Sequence, residues 1–184
     1  PKRLLGLSRQ GPDLVSTFIE AILTSDEDQM QKRLAGLADS LSGNSSSAAW
    51  FNLGRLAASL FFRRAAEEYF EMSASLAQAQ RDDKGEAEAW LSLGSLYRDD
   101  EDWIRACQFY EKALQALDKG KRLPLMCTVL INLGRALRMQ GDLSKSELCY
   151  SRALCLLDGN DHSARADVLD CQGELCQIRG NYAG

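Results

Sequence analysis

Histidine and proline are nearly missing from this chain: its 184 residues include one histidine, His162, and three prolines. A lone histidine in a polar stretch, with no Cys nucleophile pattern beside it, deprives acid–base and nucleophilic chemistry of its commonest side chain. G-x-S-x-G, H-E-x-x-H, P-loop and G-x-G-x-x-G signatures are all absent as well, so no catalytic site is expected and the chain reads as a non-enzyme. Long apolar runs are also lacking. The longest, Leu123 to Leu133, is broken by Pro124, Thr128 and Asn132, far short of the roughly 20 residues of a membrane span. No secretory signal opens the chain. It begins at Pro1 and stops at Ala183-Gly184 just where a further helix is due, as expected of a fragment of a longer protein.

An excess of positive charge is missing too. Lys and Arg number 22 against 26 Asp and Glu, for a formal net charge of −4, which argues against nonspecific nucleic-acid binding. The six cysteines (Cys107, Cys127, Cys149, Cys155, Cys171, Cys176) fall within helical patterns and none forms C-x-x-C. They read as small buried hydrophobes in a reducing compartment, cytoplasm or nucleus, with no metal or other cofactor implied. The acidic run Asp99-Asp100-Glu101-Asp102 lacks the Gly turn and distal Glu of a calcium loop. Acids at the start of a helix are the better account of it.

What the chain does have is a repeated pattern, clearest from Trp90 to Ala113. Trp90, Leu93, Gly94 and Tyr97 mark one helical stripe; after a short acidic turn, Ala106, Tyr110 and Ala113 mark a second. Forty residues upstream stand Trp50, Leu53, Gly54 and Ala57, then Ala66, Phe70 and Ser73. Forty downstream stand Leu130, Leu133, Gly134 and Leu137, then Ser146, Tyr150 and Ala153. A fourth first helix is expected from about Ala166, with Leu169, Gly173 and Cys176 in register and a turn at Gly180-Asn181-Tyr182. Gly and Ala at these slots suit two antiparallel helices in close approach, with the aromatics filling the space around the contact. A hairpin of this size cannot bury its own apolar stripe, so stacked copies are expected.

Over roughly residues 47 to 184 the chain resembles the tetratricopeptide-repeat (TPR) family, whose W-x2-L-G-x2-Y … A-x3-F pattern these residues reproduce with Tyr110 in the Phe slot. The resemblance implies an all-α, right-handed solenoid of antiparallel helix hairpins. Two departures stand out. The spacing is about 40 residues instead of roughly 34, and the Pro that normally closes each repeat is missing. Second helices extended by more than a turn are therefore expected. Long repeats of this kind resemble those of LGN/Pins-like polarity adaptors, and Lys84-Gly85-Glu86-Ala87-Glu88-Ala89 stands where their K-G-E-A-x-A-like segment leads into a first helix.

In chain order, residues 1–11 form a basic, partly apolar lead-in. Residues 12–46 read as a capping hairpin, with a first helix from Pro12 and a second over Asp26 to Leu41. Three repeats follow at about 47–85, 86–124 and 125–163, with half a repeat over 166–184. Leu60-Phe61-Phe62-Arg63 replaces the polar turn of repeat one, and either Phe61 or Phe62 must pack inward or stay exposed. Lys119-Gly120-Lys121-Arg122 closes repeat two as a helix stop.

Function is expected in the groove that first helices line in TPR arrays. N-L-G-R recurs at Asn52-Leu53-Gly54-Arg55 and Asn132-Leu133-Gly134-Arg135, with Ser92 and Ser95 in the same places of repeat two. With Leu and Gly packed, the flanking residues share the other side of the helix, and Arg98 and Arg138 extend that face. An Asn amide can pair with both polar groups of an extended peptide backbone, and Arg can fork onto a carboxylate. By resemblance to LGN-like adaptors, Asn52, Arg55, Ser92, Ser95, Arg98, Asn132, Arg135 and Arg138 would hold an extended, acidic segment of a partner protein. The competing account has the Asn residues bonding nearby turns and the Arg residues merely solvated. Cys171 and Glu174 break the ladder in repeat four, where Asp167 and Asp170 add negative charge. The clamp that TPR domains use on acidic chaperone tails is not matched, because Phe51, Arg55, Thr128 and Asn132 occupy its slots. A second function class is a structural or regulatory arm of a larger enzyme or multisubunit complex, contacting partners by its ends or convex face. Self-association through the apolar face of the last helix, around Leu169 and Cys176, is also expected.

Overall fold

A computed structural model describes residues 27–41, 46–117, 123–157 and 161–182, which form eight helices. These are α1 Glu27–Leu41, α2 Ser47–Ser59, α3 Arg63–Ala79, α4 Asp83–Asp99, α5 Trp103–Leu117, α6 Leu123–Met139, α7 Leu143–Leu156 and α8 His162–Tyr182. No strand occurs among the described residues. The lead-in, the helix from Pro12, most of the 42–47 linker, the Lys119–Arg122 stop and the Asp158–Asn160 turn lie outside them. Each helix packs on the next along the chain from α1 to α8, and the first helices α2 and α4 also touch, as do α6 and α8. This is an all-α solenoid.

The hairpins close around a glycine–aromatic contact. A Cβ added to Gly54 would stand 2.7 Å from Phe70 Cδ1, one at Gly94 2.6 Å from Tyr110 Cδ1, and one at Gly134 2.9 Å from Tyr150 Cδ1. The rings lie where a side chain would otherwise stand, so only glycine admits them. Ala66, Ala106 and Ser146, one turn before each ring, are completely buried. Ser146 meets the demand of its buried hydroxyl by donating to the Gly134 carbonyl at 2.8 Å. Ser73, in the slot of Ala113 and Ala153, donates to the Ser47 carbonyl at 2.9 Å. Two apolar clusters result, one around Trp50, Leu53 and Phe70 and one around Tyr110, Leu133 and Tyr150, and Trp90 packs against both.

The turns inside the hairpins are three copies of one motif. Phe62, Asp102 and Asp142 donate N–H to the carbonyls of Ala57, Tyr97 and Leu137, five residues back in each case. Phe61, Glu101 and Gly141 donate to those of Ala58, Arg98 and Arg138. This is the Schellman arrangement, whose central residue must be left-handed, and φ is 64° at Phe61, 60° at Glu101 and 87° at Gly141. The next residue starts the second helix. Asp102 and Asp142 cap it, accepting from the Arg105 and Lys145 N–H at 3.0 and 3.1 Å. The acids near Asp102 thus include a helix cap, and the Arg105 backbone N–H, ahead of its guanidinium, holds the Asp102 carboxyl below its usual range. In repeat one Phe62 takes the cap position without a side-chain cap bond. It turns half-inward against the N-terminal cluster, while Phe61 stays 92% exposed.

Two sequence expectations need correction. The extra length of the repeats is not carried by the second helices alone: α3 has 17 residues, but α7 has only 14 and leaves helix at Leu157, whose ψ is 127°. Much of it goes into the first helices. Gly54 is the eighth residue of α2, whereas Gly94 and Gly134 are the twelfth residues of 17-residue helices. Asp82, accepting from Gly85 N–H at 3.0 Å, starts α4 early. The second correction concerns Gly180-Asn181-Tyr182, where no turn forms and α8 runs 21 residues from His162 to Tyr182. The sister turns are pinned by a second helix that packs back on the glycine, and no described helix packs back on α8. Gly173 accordingly has nothing within 4 Å of a built Cβ, Leu169 is 53% exposed, and Cys176 is exposed.

Candidate functional site

The residues singled out on the first helices occupy equivalent positions beside the buried Leu-Gly pairs of α2, α4 and α6. Asn52 and Arg55 are exposed on α2, and neither has a hydrogen bond or ion pair among the described residues. On α4, Ser92 and Ser95 are half-buried and donate back to their own helix, to the carbonyls of Glu88 at 2.9 Å and Leu91 at 3.0 Å. Arg98 pairs with its neighbour Asp99 at 2.8 Å. On α6, Asn132 is half-buried and Arg135 is exposed.

α8 reaches two of the arginines. Arg135 Nε donates to Cys171 Sγ at 3.2 Å, a contact that raises the guanidinium pKa above its ordinary value. Arg138 Nη2 pairs with Glu174 Oε2 at 3.0 Å. Cys171 and Glu174, the residues that interrupt the ladder in sequence, are thus the ones that contact it in space. Arg98 and Arg138 carry carboxylate counter-ions, whereas among the described residues Arg55 has no partner and Arg135 has a thiol, with the Asp167 charge acting on it from farther away. Among the described residues, the positive charge on this face that no ion pair takes up is centred on Arg55 and Arg135.

Beneath the face lie polar atoms without partners. The Tyr110 and Tyr150 hydroxyls and Arg138 Nε are buried with no hydrogen bond among the described residues. The Tyr110 hydroxyl lies beside Ser95 without bonding geometry, and burial pushes both phenol pKa values up. Buried groups of this kind are commonly served by ordered water.

A family model for the tetratricopeptide repeat matches residues 85–158. That span holds the Gly94–Tyr110 and Gly134–Tyr150 contacts, both Asp-capped turns and the α4–α7 packing. Residues 85–158 are tetratricopeptide repeats. Among solved structures, the chain is similar to the N-terminal domain of stress-induced protein-1 (STI-1) from C. elegans. The TM-score is 0.57 at 18% identity, over 68% of this chain and 94% of that one. It is also similar to BtubC (BKLC) from P. vanneervenii, with a TM-score of 0.60 at 15% identity, over 100% of this chain and 88% of that one. Likeness at such identities establishes the fold alone. No curated protein matches the sequence.

One feature of the TPR array escaped sequence reasoning, a charged junction between repeats one and two. Arg63 Nη1 donates to the Leu96 carbonyl at 3.0 Å, Arg63 Nε pairs with Glu67 at 3.0 Å, and Arg63 also pairs with Asp100. Arg63 and Arg105 each lie 4.8 Å from the centre of the Tyr97 ring. The ring stack continues from Tyr97 to Phe109, centroids 5.2 Å apart, and from Phe109 to Trp90 at 5.8 Å, with Lys112 over the last two. A shallow cavity of about 420 Å³ lies here, lined by Arg63, Arg64, Glu67, Tyr97, Asp100, Asp102 and Arg105. The only hint in sequence was Arg63 in the slot of Trp103 and Leu143, an inward position in the sister repeats that a cation fills only with partners from the next repeat.

TPR repeats generally mediate protein–protein contacts, and the single histidine, His162, is exposed at the start of α8. Among the described residues, no helix is long and apolar enough to cross a membrane, and no group of three His, Cys, Asp or Glu is placed to hold a metal ion.

Proposed function

We propose that this TPR protein is an interaction scaffold or adaptor whose first-helix face takes an extended, acidic segment of a partner protein. The observation that carries the reading is the repetition of Asn-Leu-Gly-Arg at one structural position of α2 and α6. Its Leu and Gly are buried, and among the described residues Asn52 and Arg55 are open and unpaired and the exposed Arg135 forms no ion pair with a carboxylate. Asn amides spaced along the face suit backbone groups of an extended chain, and the two arginines suit its carboxylates. Ser92, Ser95, Arg98 and Arg138 already bond within the array, so they shape the face and contribute less charge to a ligand.

Capture of partners from lysate by the wild-type chain and by an Arg55→Ala, Arg135→Ala variant tests this. Helicity is checked first; neither guanidinium supports the core, so the variant folds normally. Partners held in the groove drop at least tenfold in the variant, and their retention by the wild type falls steeply with added salt. Equal retention by both chains would move recognition to the array ends or outer helices. The protein would then be an arm of a larger assembly.

A further inference from the structure

Arg98 and Arg138 stand in one slot of repeats two and three, yet they are neutralised differently. Arg98 donates from both Nε and Nη2 to its own neighbour, Asp99 Oδ1, at 3.1 and 2.8 Å. The residue after Arg138 is Met139, and the counter-ion comes from another helix, with Glu174 Oε2 of α8 at 3.0 Å from Arg138 Nη2. This pair is lopsided. The Glu174 side chain is 56% exposed and that of Arg138 only 21%, so the cation is set into the face while its carboxylate lies open to solvent. An ion pair with one partner so exposed is weak, and another carboxylate displaces it at little cost.

Beneath the pair, two donors lack an acceptor. Arg138 Nε and the hydroxyl of Tyr150, a residue with no exposed surface, are buried without a hydrogen bond among the described residues. Burial raises the Tyr150 phenol pKa, and Arg138 is among the groups that act against that rise, so the two donors stand close together. Arg135 precedes Arg138 by one turn of α6 and meets Cys171, one turn before Glu174 on α8. Two guanidiniums and a phenol hydroxyl thus converge where α8 touches α6. Acceptor oxygens are what such a place wants, and a carboxylate supplies two of them.

On the reading that the first-helix face takes an acidic segment, we infer that Arg138 is a further carboxylate position of that face, and that Glu174 of α8 stands on it in the free chain in the ligand's place. An acidic segment that enters the groove as far as repeat three displaces Glu174, takes the Arg138 fork and sets a second carboxylate on Arg135. α8 therefore competes with the ligand for the groove it borders. Repeat two has no such device, because Asp99 sits on the same helix as Arg98 and stays beside it.

Fluorescence anisotropy of a labelled octaglutamate peptide, titrated with the full chain at low salt, tests this. Glu174→Gln binds the peptide about fivefold more tightly than the wild type, the gain expected when a weak competing pair is removed. Asp170→Asn removes the same charge one turn earlier on α8 and gains less than about twofold. Adding Arg138→Gln to the Glu174→Gln chain abolishes the gain. Thermal melting checks that each chain is folded; should Arg138→Gln unfold, Met139→Asp, which gives Arg138 the neighbour that Arg98 has, takes its place. Equal gains from Glu174→Gln and Asp170→Asn, a gain that survives the loss of Arg138, or no binding by any chain would each overturn the inference. Wild-type binding that depends on Arg55 and Arg135 but ignores Glu174 would overturn it alone and leave the groove standing. Binding indifferent to Arg55→Ala, Arg135→Ala but raised by Glu174→Gln through Arg138 would keep this position and fault the rest of the groove.

Discussion

Replacing Gly94 with alanine is expected to destabilise the array by about 3 kcal/mol, a large effect for one methyl group. The new Cβ would stand 2.6 Å from Tyr110 Cδ1, and Tyr110 is completely buried, so its ring has nowhere to swing. Relief must come from parting α4 from α5, which loosens the packing that joins both apolar clusters through Trp90. A partner change separates this account from a simple propensity effect. In a Tyr110→Leu background the clash partner is gone, and the penalty of Gly94→Ala should fall below about 1 kcal/mol, a strong coupling between the two sites. Gly173→Ala is the internal control. Nothing lies within 4 Å of its Cβ, so alanine should stabilise α8 by about 0.5–1 kcal/mol through helix propensity. Urea unfolding of the wild type and the four variants (Gly94→Ala, Tyr110→Leu, the double variant and Gly173→Ala) measures all of this. Equal penalties at Gly94 and Gly173 would contradict the close-approach account.

Alkaline conditions should unfold the protein cooperatively, and two thiols are the main cause. Burial pushes the Cys107 and Cys149 thiols up to about 11, each further raised by nearby Glu111. Each keeps its proton to higher pH in the folded chain than in the unfolded one. Their contribution is therefore complete below the ordinary thiol range and is lost as the pH climbs through it toward about 11. A shift of that size corresponds to about 2–3 kcal/mol per thiol. Tyr110 and Tyr150, also raised by burial, add to the loss in the same direction at still higher pH. Urea midpoints at pH 7.5 and 10.5 should differ by several kcal/mol in stability, and a Cys107→Ala, Cys149→Ala chain, though weaker at neutral pH, should lose much less over the same interval. An unchanged pH dependence in that chain would assign the effect to other groups.

Much of the architecture was legible because its determinants are local and repeated. Gly54, Gly94 and Gly134 with Phe70, Tyr110 and Tyr150 state in sequence what the packing requires in space, since each pair is separated by one turn and about four helical turns. Determinants that link one repeat to the next were not legible. Arg63 looked like the odd residue of an odd turn, and its partners Leu96, Tyr97 and Asp100 are assembled only when α3 stacks against the end of α4. Cys171 and Glu174 appeared merely to interrupt a ladder, because sequence registers each repeat against its equivalents and not against the side chains it touches. Gly180 misled for a related reason. A glycine permits a left-handed turn, but the turn forms where a second helix packs back, and α8 continues through it. Within the candidate face, sequence could not tell Arg55 from Arg138, because the carboxylate that pairs with Arg138, Glu174, stands on α8, whereas Arg55 has no partner among the described residues.

The most direct measurement of the central proposal is amide hydrogen exchange of the chain, free and bound to a partner segment recovered by the wild type. Binding in the groove predicts added protection along α2, α4 and α6, strongest near Asn52–Arg55 and Asn132–Arg135, with α3, α5 and α7 unchanged. Protection confined to the second helices, or to α8, would contradict it.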